Sequence, residues 1–200
     1  MIKVGLTGGI ASGKSVVARL LVDCGAHLID ADVLAKDALS YGSVTWDKVV
    51  LNFGETILNS HGEIDRKKLG KIVFKDSKKR EQLNSIVHPW VYSEYQRIAD
   101  SVSRDHSSGM LVFDLPLLFE NKREDLFKHI IVAYVDKQTQ LKRVMSRDGL
   151  KRSEALDRIN AQLPLSQKRR NAGYVLDTRV PPGVLRKEVR AIYKSLTCIV

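Results

Sequence analysis

Short apolar runs, each stopping at an aspartate or a glycine, alternate along this chain with longer stretches of helical spacing. Ile2 to Leu6 places Ile, Val and Leu in a run that ends at Thr7 and two glycines, the pattern of a buried parallel strand. Gly13 to Asp23 then reads as a helix, with Val16, Val17, Leu20 and Leu21 as its apolar stripe and Gly25 placed to end it. Ala26 to Ile29 is a second short strand, closing on Asp30-Ala31-Asp32. Strand, helix and strand in so short a span make a βαβ unit, and hence a parallel sheet.

From Val33 to about Arg104 the spacing turns helical, broken at Tyr41-Gly42-Ser43, at Asn59-Ser60-His61-Gly62 and at His88-Pro89. Asp65 is placed to cap a helix through Phe74, and Lys78 to Val87 predicts another. Sheet-like runs return at Met110–Phe113, ending on Asp114, and at His129–Val135, ending on Asp136. Asp136 can cap a helix from Lys137 to Arg147; a second, capped by Ser153, should stop before Pro164. Tyr174–Leu176 predicts a last strand, and Val184–Leu196 a closing helix with Val189, Ile192 and Leu196 on one face. The expected organisation is an α/β core built from residues 1–32, 105–136 and 171–200. It is interrupted by a helical region over 33–104 and a basic helical region over 137–170.

With 200 residues, 44% of them hydrophobic, the chain can bury a core without disulfides. No apolar run approaches the roughly 18 residues of a membrane span, and Met1 to Leu6 is too short an apolar run for a signal peptide. Cys24 and Cys198 stand far apart with no CxxC pattern and read as free thiols, so a cytoplasmic location is expected. The net charge of +10 changes the picture more. Residues 137–170 hold ten Lys or Arg against three acids, so most of the excess lies in that one region. Such clustering suits nucleic acid, anionic lipid or a polyphosphate, or else a solvated basic face.

The strongest chemical signal is Gly8-Gly9-Ile10-Ala11-Ser12-Gly13-Lys14-Ser15, which satisfies G-x-x-x-x-G-K-[ST] between a predicted strand and a predicted helix. The glycines let backbone N–H groups face a polyphosphate, and the helix N-terminus adds partial positive charge there. Lys14 can reach the outer phosphates, Ser15 can ligate Mg²⁺, and Val16 follows at the end of the loop. Asp114 ends a hydrophobic run as a Mg²⁺-holding carboxylate would, the alternative being an aspartate that only caps a turn. Asp32 lies just past the second strand, where a carboxylate can accept a hydroxyl proton; Asp30 competes for that role. Arg143 and Arg147 are one helical turn apart and can share a phosphoryl group or simply face solvent.

Beyond these features the chain resembles the dephospho-CoA kinases. The likeness begins with Gly5-Leu6-Thr7 leading into the phosphate loop and Asp30-Ala31-Asp32. It continues through Gly62-Glu63-Ile64-Asp65-Arg66, Leu69-Gly70, Val73-Phe74 and Leu83-Asn84-Ser85-Ile86-Val87-His88-Pro89. Asp114-Leu115-Pro116-Leu117-Leu118-Phe119-Glu120 follows, then Gln140, Arg143, Arg147, Asp148, Arg158-Ile159 and Gln162, covering nearly the whole chain in order. The resemblance implies a P-loop nucleoside-kinase-like fold with a five-stranded parallel sheet, a helical CoA-binding region and a lid. It makes Asp32 similar to a catalytic base and puts Arg143 and Arg147 near the phosphates. His88, Pro89, Asp114 and Leu117 join Asp32 on the acceptor side. The implied ligands are ATP with Mg²⁺ and dephospho-CoA, with no nucleic acid, membrane or obligate protein partner. Ala11, Val16 and Thr178 depart from the family habit; Ala11 matters if its position needs a positive φ.

Three rival readings make different demands. A GTPase would carry an Asn-Lys-x-Asp segment after a late strand, whereas Asn121-Lys122-Arg123-Glu124 ends in Glu. A single-strand nucleic-acid binder would interleave aromatics with the cations, yet residues 137–170 contain no Phe, Tyr or Trp. A kinase of another small hydroxyl or phosphate acceptor shares every phosphate-loop feature and is separated only by the wider resemblance.

Overall fold

The computed structural model describes residues 1–106 and 108–198. The chain divides into two compact units, one made of Met1–Asp30 with Val102–Val200 and the other of Ala31–Ser101.

The first unit is built on a parallel sheet of five strands among the described residues. In chain order these are β1 (Ile2–Gly8), β2 (His27–Asp30), β3 (Met110–Asp114), β4 (His129–Tyr134) and β5 (Tyr174–Asp177). They lie side by side as β2-β3-β1-β4-β5. All pairings are parallel, with Leu6 opposite both Asp114 and Ile131, and Asp30 opposite Asp114. The central strands are largely apolar because helices cover them: Met110 to Asp114 are all buried. Helices α1 (Lys14–Asp23) and α9 (Pro182–Thr197) share a core with the sheet, in which Val17, Leu21, Val4, Ile131, Leu176, Val189 and Leu196 are almost wholly buried. Each such aliphatic side chain contributes about 1.5–3 kcal/mol on leaving water. The stripe of α1 is Val17, Ala18, Leu20 and Leu21; Val16, expected on it, is 53% exposed, in the first turn and off the buried face.

The basic region belongs to this unit as α6 (Lys137–Asp148), α7 (Arg152–Asn160) and α8 (Leu165–Arg170). Asp136 caps α6 by accepting from the Thr139 N–H at 2.9 Å, as its position predicts. The Thr139 hydroxyl and N–H, with Arg179, hold the Asp136 carboxyl well below the ordinary carboxylate range. Helix α7 starts two residues before the expected Ser153 cap: Lys151 is its N-cap, and Glu154 accepts from the Lys151 N–H at 2.9 Å. The short α8 was not predicted, since one turn and a half carries too little periodicity to read. Leu141, Val144, Ala155 and Ile159 form a small core that packs on Ile10 and Ala11.

The second unit is helical: α2 (Ala31–Asp37), α3 (Val44–Phe53), α4 (Arg66–Lys75) and α5 (Ser77–Asp105), the last running on past the unit's end. Val49, Ile57, Ile64 and Leu69 are its core. Ser43 and Asp65 cap α3 and α4 by accepting from Trp46 and from Lys67 and Lys68. The break expected at His88-Pro89 is absent, and α5 continues through Pro89. A proline inside a helix costs ~3 kcal/mol. Here Val87, Val91, Tyr95 and Ala99, spaced four apart, are buried along one stripe, and that packing overrides the local preference.

Candidate active site

The candidate site lies at the carboxyl end of β1, which has neighbours on both sides, the place where open parallel sheets bind ligands. The chain leaves β1 at Gly8, turns through Gly9 to Gly13 and enters α1 at Lys14. Gly13 has φ +85° and is the N-cap without a side-chain hydrogen bond, and the first turn carries no acid. No side chain caps the start of α1, which leaves its N-terminus suited to an anion. Ala11 has φ +54°, so the position does take the left-handed conformation, at a cost of about 1–2 kcal/mol for a residue with a Cβ.

The loop is held from several directions. Ile10 donates its N–H to Gln162 at 2.8 Å and accepts from the Gln140 amide at 2.8 Å. A Cβ on Gly9 would fall 2.8 Å from that same Gln140 amide and 3.2 Å from Leu165, so any larger residue would displace the Gln140 side chain. The Thr178 hydroxyl donates to the Ser12 carbonyl at 2.7 Å, and a Cβ on Gly13 would meet Thr178 at 2.9 Å. Thr178 thus braces the phosphate loop, a role its position in the sequence did not reveal. Ser12 is buried, and its hydroxyl has no hydrogen-bond partner among the described residues.

Lys14 extends to the Asp114 carboxylate and forms an ion pair with it, joining α1 to the end of β3. Asp114 is buried, and Ser15 is exposed beside Lys14. No group of three or more His, Cys, Asp or Glu gathers in one place among the described residues. Magnesium fits such a donor set nonetheless, since it is commonly held by one or two protein oxygens together with phosphates and water. Asp114 and Ser15 offer hard oxygen ligands at neighbouring ends of β3 and α1.

The two arginines of α6 hold different partners. Arg143 donates to the Thr178 hydroxyl and carbonyl, both at 2.8 Å. Arg147 pairs with Asp148 at 2.7 Å, and Arg158 reaches the same carboxylate at 3.0 Å. Arg143 is thereby attached to the loop's brace, while Arg147 is largely exposed. Leu117 is 39% exposed in the turn after β3.

Asp30 ends β2 opposite Asp114 in the first unit. Asp32, in the first turn of α2, belongs to the second unit and is exposed. There it lines a cavity of 350 Å³ with Ala35, Lys36, Leu39, Arg66 and Leu69 among its neighbours. Arg66 donates to the Lys36 carbonyl at 3.3 Å. His88, half-buried, and Pro89, exposed, sit mid-helix on α5 and do not line this cavity. Lys36 carries no signal in the sequence, and Arg66, quoted in the resemblance, stands among four other cations of α4, so spacing does not bring the two together.

A sequence profile described as dephospho-CoA kinase matches residues 2–180. A dephospho-CoA kinase of Carboxydothermus hydrogenoformans is 49% identical over 194 residues, covering 96% of this chain and 93% of that one. The chain belongs to the dephospho-CoA kinase family. Among solved structures, TT1252 from Thermus thermophilus is similar with TM-score 0.80 and 30% identity over 98% of both chains. Dephospho-CoA kinase from Campylobacter jejuni is similar with TM-score 0.65 and 25% identity, over 98% of this chain and 97% of that one. The dephospho-CoA kinase match spans the phosphate loop, the helical unit and the basic region together, which a phosphate loop alone would not bring about.

Proposed function

We propose that this chain transfers the γ-phosphoryl group of ATP to the ribose 3′-hydroxyl of dephospho-CoA, releasing ADP and CoA. The observation that carries the reading is the continuous family match over residues 2–180, in a chain whose phosphate loop opens on an uncapped helix N-terminus. In this reading the backbone of Gly8 to Ser15 cradles the phosphates, and Val16 closes the loop. Lys14 exchanges the Asp114 carboxylate for outer phosphate oxygens. Ser15 and Asp114 would hold Mg²⁺, which supplies charge neutralisation at the β- and γ-phosphates. Asp32 accepts the hydroxyl proton as the new P–O bond forms and the bond to the ADP oxygen breaks. Arg143 and Arg147 steady the charge on the moving group.

The acceptor side is assigned to the second unit and to Leu117. The cavity beside Asp32 has an apolar floor and two cations, Lys36 and Arg66, as suits an acceptor that carries a diphosphate. His88 and Pro89 are assigned to the same acceptor region. A reducing cytoplasmic setting accords with the two free cysteines.

ADP release in a coupled assay, with Mg²⁺ present, tests the reading directly. Turnover is expected with dephospho-CoA and not with AMP, CMP or shikimate. Equal or faster turnover with any of the other three would overturn it.

A further inference from the structure

Lys168, on α8, is the most deeply buried charged side chain among the described residues of the first unit, with no exposure of its side chain. Its ammonium has three N–H bonds to give and meets three acceptors. These are the Gly8 carbonyl at 3.1 Å, the Pro116 carbonyl at 3.1 Å and the Glu120 carboxylate at 2.8 Å. Each acceptor belongs to a different working part. Gly8 opens the phosphate loop. Pro116 follows Asp114 by two residues, and its carbonyl also accepts from the Thr7 hydroxyl at 3.1 Å. Glu120 in turn accepts from the Leu163 N–H at 3.0 Å, at the entry to α8.

We propose that Lys168 is a positioning residue for phosphoryl transfer, fixing the phosphate loop against the segment that carries Asp114 and tying both to the basic region. The assignment rests on the reading of the chain as a kinase of dephospho-CoA, since it concerns the same site. Lys168 does not touch the reacting atoms; it acts through Gly8 and Pro116 on the separation of Lys14 from Asp114. Burial pushes its ammonium below the ordinary lysine range, Glu120 opposes this, and the charge of Lys14 adds to the lowering. A solvated basic face would call for none of this, because a lysine there keeps its ammonium in water. The second Glu120 oxygen is buried with no hydrogen-bond partner among the described residues, so Lys168 is the group that balances this carboxylate.

A charge pair that served stability alone would behave differently from one that also places backbone. Removing one member of a buried pair strands the other charge, whereas removing both can restore stability. The carbonyls of Gly8 and Pro116 would still lack their donor in the double variant. The test compares wild type, Lys168→Met and the double variant Glu120→Gln/Lys168→Met in the full chain. Tm, ATP affinity by calorimetry, and kcat and KM with dephospho-CoA well below each Tm are read for each. Lys168→Met is expected to lower Tm, to reduce kcat by about 10–100-fold as expected for sub-ångström to ångström misplacement, and to weaken ATP binding. The KM for dephospho-CoA should stay within about threefold, because the acceptor is assigned to other residues. The double variant should regain most of the lost Tm yet keep the deficits in kcat and ATP affinity. Recovery of kcat and ATP affinity together with Tm would overturn the proposal, as would a wild-type kcat in Lys168→Met. Should the single variant fail to fold, the double variant reads the same quantities. Wild-type enzyme that binds ATP but ignores dephospho-CoA would count against the acceptor assignment, and the ATP affinities of the variants would still decide the role of Lys168.

Discussion

At the scale of single residues, the site depends on how few groups do several things at once. Lys14 is both the expected phosphate ligand and the counter-charge of buried Asp114. Ala11 sits at φ +54° where glycine would be unstrained, a small local cost that the packing of Ala11 against the α6–α7 core helps offset. The two aspartates after β2 can now be told apart by position. Asp30 stands opposite Asp114 on the sheet, while Asp32 lines the cavity with Lys36 and Arg66. Asp32→Asn should therefore cut kcat by about 10²–10⁴-fold, with a much smaller change in ATP affinity, as for a lost general base. Steady-state kinetics beside Asp30→Asn decide it: an inactive Asp30 variant with a near-normal Asp32 variant would move the base to the sheet edge.

At the scale of elements, α5 shows packing prevailing over local signals. Its stripe of Val87, Val91, Tyr95 and Ala99 continues through Pro89. Burial pushes the Tyr95 hydroxyl up to about 12 from an ordinary 10. An acid whose pKa is raised on folding keeps its proton longer in the native state, so stability is lost as pH rises above the unfolded value. Between pH 9 and pH 11 this amounts to about 1 kcal/mol. Denaturant midpoints over that range should fall more steeply for the wild type than for Tyr95→Phe. Parallel slopes would remove Tyr95 from the alkaline sensitivity of this helix.

At the scale of the whole molecule, the chain divides into two units, and the tryptophans fall in only one of them. Both tryptophans, Trp46 on α3 and Trp90 on α5, lie in the helical unit, and the phosphate loop and basic region lie in the other. Dephospho-CoA should accordingly perturb tryptophan emission, and ATP alone should perturb it less. Titrating each ligand separately and then together distinguishes direct contact from a closure that needs both. Emission unchanged at saturating dephospho-CoA would speak against placing the acceptor in the helical unit.

Much of this protein was legible before folding because the relevant signals are local. The phosphate loop is eight consecutive residues, the strands are short, mostly apolar runs, and Asp65 and Asp136 cap the helices that follow them. The aspartates ending β2 and β3 are local signals of the same kind. Other features depend on residues far apart in the chain. The Lys168 ammonium reaches Gly8 across 160 positions, Thr178 braces Ser12 across 166, and Gln162 meets Ile10 across 152. In sequence, Lys168 is one cation in a basic run and indistinguishable from Arg169 and Arg170. Spacing along a chain predicts which side chains share a face of one element. Which charge is drawn out of water, and which guanidinium meets a distant threonine, is decided only when distant elements come together and compete for the same buried acceptors.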